Sequence, residues 1–134
     1  MKKSLTLIAV VALLVVISVF VFAACVPSDP TKAKTKYEDK GYSVIFDNSK
    51  AGNVAAKVTI SLLIEMKGDV AAKLIASNSS YSGTIIWFTE SADAKTYEKY
   101  LKSNKSEDST TYIKRDGKAV FAGDKEAYNM KKAD

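Results

Sequence analysis

Hydrophobic positions divide the chain into one long unbroken run and a series of shorter interrupted patterns. Residues 5–22 are apolar throughout except for Thr6 and Ser18. Beyond them, polar and apolar residues interleave. Tyr42-Ser43-Val44-Ile45-Phe46 reads as a strand closed by Asp47-Asn48-Ser49. Residues 70–77 and 83–88 read as a hairpin pair joined through Asn78-Ser79-Ser80-Tyr81-Ser82. In the second of these strands Ile85 and Trp87 take one face, Ile86 and Phe88 the other. Ser91 is placed to cap a helix over 91–102, with Ala94, Tyr97 and Leu101 on one side. Residues 110–114 and 118–121 flank Asp116-Gly117, a strong hairpin signal. Asp124 then caps a short last helix, and Lys131-Lys132 beyond it suit the helix dipole.

Two segments are less regular. In 54–67, Val58, Ile60, Leu62, Ile64 and Met66 alternate with Lys57, Thr59, Ser61 and Glu65, which is a strand period. Val54, Val58, Leu62 and Met66, with Ala55 and Leu63, also share a helical face. Both templates match, but Leu63 breaks the alternation and the segment is long for a strand. Length favours a helix, with Asn53 as N-cap and Gly68-Asp69 past its end. Residues 26–36 hold Pro27, Pro30 and a Thr/Lys series and read as a flexible tether, about 36 Å long at full extension. Asp29 and Pro30 suit a helix start, and Gly41 a helix stop, over 30–40. Tyr37 is the only large apolar residue there, so weak packing is expected. The order after this helix is β-α-β-β-α-β-β-α. It resembles the ferredoxin-like split βαβ arrangement, which implies an α+β fold with an antiparallel sheet and helices on one face.

The chain has 134 residues, enough for one domain. The apolar run is outside it. Lys2 and Lys3, the 18-residue run and the small Ala23-Ala24 follow the order of a secretory signal. A run of this length retained as a membrane helix is the other reading. Either one places Cys25 onward outside the cytoplasm, because Lys2 and Lys3 stay inside. The expected division is 1–24 signal peptide, 25–36 anchor and tether, and 37–134 a small domain. Removing Lys2 and Lys3 lowers the formal charge of +5 by two. The remaining basic residues are scattered lysines with a single arginine, Arg115. Nucleic-acid recognition favours Arg, so no nucleic-acid partner is expected.

Cys25 is the one cysteine of the chain, so no internal disulfide can form. Phe22-Ala23-Ala24-Cys25 resembles the lipobox of bacterial lipoproteins: an apolar residue, two small residues, then Cys. Phe22 stands where that pattern usually has Leu, Val or Ile. The resemblance covers residues 1–25. It implies a thioether-linked diacylglyceryl group on Cys25, cleavage after Ala24, and acylation of the new amine, for example by palmitate. Two or more acyl chains, at about 0.8 kcal/mol per buried CH₂, hold a domain stably on a membrane where one does not. Cys25 is thus expected to be an anchor. The corners Phe88-Thr89-Glu90-Ser91-Ala92-Asp93-Ala94 and Phe121-Ala122-Gly123-Asp124-Lys125-Glu126-Ala127 share one capping pattern. Their wording resembles small uncharacterised lipoproteins of low-GC Gram-positive bacteria.

Histidine is absent, which removes the commonest general base and metal ligand. No zinc cluster, Gly-rich phosphate loop or calcium loop is present in the pattern, so no metal or cofactor is expected. Asp47, Glu90, Asp93, Asp124 and Glu126 fall at loops and first helical turns, where carboxylates usually cap. An enzyme is not expected. Trp87 with Tyr81 and Tyr112 is the one candidate ligand platform, for a glycan or peptide, against the alternative that these rings simply fill the core. The sequence therefore points to a lipid-anchored extracytoplasmic protein of the cell membrane. Its domain would be a non-enzymatic binding or envelope-structural module, partnered by membrane lipid and by an envelope protein or glycan. The alternative is an accessory subunit that docks on a membrane complex through its sheet face or edge.

Overall fold

The computed structural model describes residues 25–134. Phe22, Ala23 and Ala24, with the rest of the expected signal peptide, lie outside the described residues. The elements are α1 (Pro30–Asp39), β1 (Ser43–Asp47), α2 (Lys50–Ser61), β2 (Val70–Ser77), β3 (Ser82–Phe88), α3 (Ser91–Asn104), β4 (Tyr112–Asp116), β5 (Ala119–Gly123) and α4 (Lys125–Tyr128). The five strands form one sheet in the order β1-β2-β3-β5-β4, and every neighbouring pair is antiparallel. The fold is α+β.

Alternation along the central strands splits the core in two. Ala72, Leu74, Ala76, Ile85, Trp87, Ala119 and Phe121 face one side, where they meet Ala33 and Tyr37 of α1 and Ala127 and Tyr128 around α4. Val70, Ile86, Phe88 and Val120 face the other, against Ile60 of α2 and Ala94 of α3. Val70 and Ala72 would share a face in a regular strand. A register shift between them turns Val70 to the second side. Gly83 sits under Phe121, whose ring atoms would lie 2.4 Å from a Cβ added there.

Helices therefore cover both faces, not one. Helices α2 and α3 share a face, and α1 and α4 cover the other because Tyr37, Ala33 and Tyr128 supply a second apolar layer. The split βαβ geometry occurs once. β3 and β4 are each antiparallel to β5, so they run the same way with β5 between them, and α3 makes the crossover. The other unit differs: β2 lies directly beside β1 and antiparallel to it.

The segment 26–36 is not a tether. Val26 is buried, as are Ala33 and Tyr37, so the folded unit starts at Val26 rather than at residue 37. Asp29 Oδ1 accepts from the Thr31 N–H at 2.9 Å, and Pro30 opens α1. At the other end Gly41 has φ 86°, Tyr42 N–H donates to the Tyr37 carbonyl at 3.0 Å, and Gly41 N–H donates to that of Glu38 at 3.0 Å. These two bonds and the Tyr37–Tyr42 ring contact at 5.2 Å make a Schellman stop with its hydrophobic clasp. Tyr37 is fully buried, so α1 packs closely and not weakly as its lone aromatic suggested. The Tyr37 hydroxyl donates to the Ala127 carbonyl at 3.0 Å and ties α1 to α4.

Residues 54–67 are helical only in part. Ser49 Oγ accepts from Gly52 N–H at 3.0 Å, so α2 starts four residues before Val54, and Asn53 lies within it. The helix ends at Ser61, and Asp93 receives the Lys67 and Gly68 N–H groups, each at 2.8 Å, from the loop that follows. The buried side of α2 is Ala56 and Ile60; Val54, Val58 and Leu62 face solvent. The last hairpin is shifted toward the C-terminus: its first strand lies two residues beyond 110–114, and its second starts one residue later and ends two residues later than 118–121. Gly117 and Lys118 are its central pair, with Gly117 at φ 62°, the first-position glycine of a type II′ turn.

A chain beginning at Tyr37 loses Val26, Ala33 and the first two turns of α1. In thermal unfolding it should melt far below residues 25–134 or show no cooperative transition; equal melting would restore the tether reading.

Candidate functional site

The residue that carries the strongest chemical expectation, Cys25, is exposed at the surface, one position before the first buried side chain. Val26 N–H donates to Asp116 Oδ2 at 3.0 Å. The same oxygen accepts from the Tyr128 hydroxyl at 2.7 Å. One residue further on, the Pro27 carbonyl accepts from the Trp87 indole Nε1–H at 3.0 Å. These three bonds seat the start of the folded unit on β3, β4 and α4. Asp116 reaches Val26 because it closes β4 just before the tight Gly117-Lys118 turn.

The arrangement leaves Cys25 little freedom. It emerges beside the β4–β5 turn, at the end of the sheet where β2 begins and β3 finishes. A cleft of about 640 Å³ opens there, with Ser28, Trp87 and Lys118 in its wall. The chemistry this geometry supports is positional: a group attached to Cys25 is held against one defined end of the domain.

The aromatic platform is not assembled. Trp87 is buried and its one polar atom is used by Pro27. Tyr112 packs on Tyr128 and Phe121 with ring centroids at 5.2 and 6.5 Å, and Lys125 stands over its ring. Tyr81 donates to Asp134 Oδ2 at 3.2 Å beneath Lys131. Tyr112 pairs with Gly123 and Tyr81 precedes Ser82, so both tyrosines belong to the sheet end away from Trp87.

The candidate carboxylates are also scattered. Asp47 accepts from the Ser49 hydroxyl at 2.6 Å and from its N–H at 2.8 Å, and these bonds lower its pKa below the usual carboxylate value. Asp93 holds the Lys67-Gly68 loop. Asp124 accepts from Ser82 N–H at 2.8 Å and makes no side-chain cap on α4. Glu90 and Glu126 are exposed. Asp116 and Tyr128 were not foreseen as site residues. Each lies about ninety to a hundred positions from Val26, and nothing local in the sequence marks that pairing.

Comparison with known proteins finds no matching family model, no matching curated protein and no matching solved structure. Among the described residues, no helix is long and apolar enough to cross a membrane.

Two outcomes follow. Trp87→Phe removes the Pro27 bond and, because phenyl is smaller than indole, leaves a void in a buried site, so urea unfolding should show a loss of about 1–3 kcal/mol. No loss would mean the seam contributes nothing there. Burial, then the Tyr42 neighbour, raises the Tyr37 phenol above its ordinary 10.0. Burial, then the hydrogen bond to Asp116, does the same for Tyr128. The folded state keeps protons that the unfolded chain releases above about pH 10, so their contribution is full below that pH and declines above it. Phenolate absorbance from these two should appear together with loss of circular dichroism, not before it.

Proposed function

We propose that this chain is a bacterial lipoprotein whose domain is held on the extracytoplasmic face of the cell membrane through lipid on Cys25. The observation that carries this reading is Phe22-Ala23-Ala24-Cys25 at the end of the apolar run 5–22, followed at once by the first buried residue of the fold. A lipobox cysteine needs an accessible position at the boundary between signal and domain, and an exposed Cys25 next to a buried Val26 meets that need. Carboxylates committed singly to backbone groups support a binding or envelope-structural role over catalysis.

A second reading, an accessory subunit of a membrane complex, is favoured by β1. It is an edge strand, with Ile45 70 % exposed, and an extended partner segment can add to such an edge.

The test is the intact mass of the protein extracted from membranes, beside a Cys25→Ala variant. A species starting at Cys25 with a diacylglyceryl adduct, absent in the variant, is expected. An unlipidated full-length mass would overturn the lipoprotein reading. A stoichiometric companion in the same gentle extract would favour the accessory subunit.

A further inference from the structure

The helix α2 buries the wrong stripe by the usual rule. Ile60 and Ala56 face the sheet, yet the i, i+4, i+8 series Val54, Val58 and Leu62 is 55 %, 60 % and 83 % exposed. Leu63 next to it is 46 % exposed. A soluble surface gives no reason to align apolar side chains in this way. What covers them follows from where α2 lies.

The connection carrying α2 leaves the sheet at Asp47 and returns at Val70. Asp47 pairs with Lys73 and Val70 with Phe88, so both attachment points are at the sheet end that holds Trp87, Asp116 and Cys25. Asn53 Nδ2 donates to the Ala71 carbonyl at 3.0 Å and Lys57 Nζ meets Asp69 at 2.7 Å, which pins the helix there. Val54 lines a cleft whose wall includes Ala71 and Thr89, and those two residues also line the cleft beside Ser28. The apolar stripe and the anchor position thus occupy the same end of the domain, on opposite faces of the sheet.

We propose that α2 is an interfacial helix, and that Val54, Val58 and Leu62 rest in the surface of the bilayer to which the chain is attached. The proposal rests on the membrane reading above. Residues 1–24, with their apolar run, lead to Cys25 at this end, so either lipid on Cys25 or the run itself brings the bilayer to it. Only one peptide unit, about 3.8 Å, separates Cys25 from the docked Val26. The domain cannot swing away as it would on an eleven-residue tether. The charge is complementary as well: α2 carries no carboxylate, and Lys50 at its start suits anionic headgroups, while Lys57 is paired with Asp69. A shallow apolar stripe beside basic residues is the pattern of a helix lying in an interface, and the anchor supplies most of the affinity.

The test uses the full chain extracted from membranes and reconstituted in phosphatidylcholine vesicles containing phosphatidylglycerol and a doxyl-labelled lipid. Val58→Cys, on the stripe, and Ser79→Cys, in the β2–β3 loop at the far end, each receive an environment-sensitive fluorophore. Intact mass confirms one label and the state of Cys25. With the protein floating on the vesicles, the label at 58 should lose about half its emission or more to the doxyl lipid, and the label at 79 very little. A floating protein in which position 58 behaves like position 79 overturns the interfacial helix and leaves the membrane reading intact. A blue-shifted label at 58 that is not quenched by doxyl, and depends on protein density, assigns the stripe to a second copy and also overturns it. Failure to float overturns both.

Discussion

Asp116 closes this fold. Its carboxylate sits at the end of β4, accepts the Val26 N–H and the Tyr128 hydroxyl on one oxygen, and so joins the first folded residue to the last helix across the sheet. Hydrogen bonds to a charged acceptor contribute about 1.5–3 kcal/mol each, and an acceptor stripped of its partners in a half-buried site costs comparably. Around it the Trp87–Pro27 bond and the Tyr37–Ala127 bond repeat the same device: a polar atom on an otherwise apolar ring reaches the backbone of a distant segment. Together they turn what reads as a loose leader into the cover of one sheet face.

That cover is needed because the sheet is apolar on both sides. β3 alternates Ile85 and Trp87 with Ile86 and Phe88, and β5 sets Ala119 and Phe121 against Val120. A sheet with two such faces is stable in water only as the middle of three layers. The irregularity at Val70 serves the same end, since it gives the second face a residue that strict alternation would place on the first.

The functional picture is a matter of position more than of reactive groups. Asp47, Asp93 and Asp124 are spent on loops and a strand end, and the rings of the candidate platform are divided between the two ends of the sheet. Three solvent-facing features gather at one end: the exposed Cys25, the open cleft beside Ser28, and the apolar side of α2. A domain held there would present its β2–β3 loop and its C-terminal residues outward. Partner choice would then depend on those outward surfaces and on the β1 edge.

Local chemistry was legible wherever short-range forces decide. The residues of β2 and β3, the face of each side chain in β3, the Asp29-Pro30 start and Gly41 stop of α1, and a hairpin near Gly117 all follow from propensity, alternation and caps within a few residues. Three matters were settled only by the tertiary structure. Ile60 and not Val58 faces the core, although Val54, Val58 and Leu62 form the more apolar stripe of α2, because it is Ile60 that meets Val70 and Phe88 on the second face of the sheet. Trp87 joins the core instead of Tyr81 and Tyr112, because strand register puts them at opposite ends. Residues 26–36 are folded rather than loose, because Val26 and Pro27 bond to Asp116 and Trp87, ninety and sixty positions away, and nothing local in the sequence signals a contact over that distance.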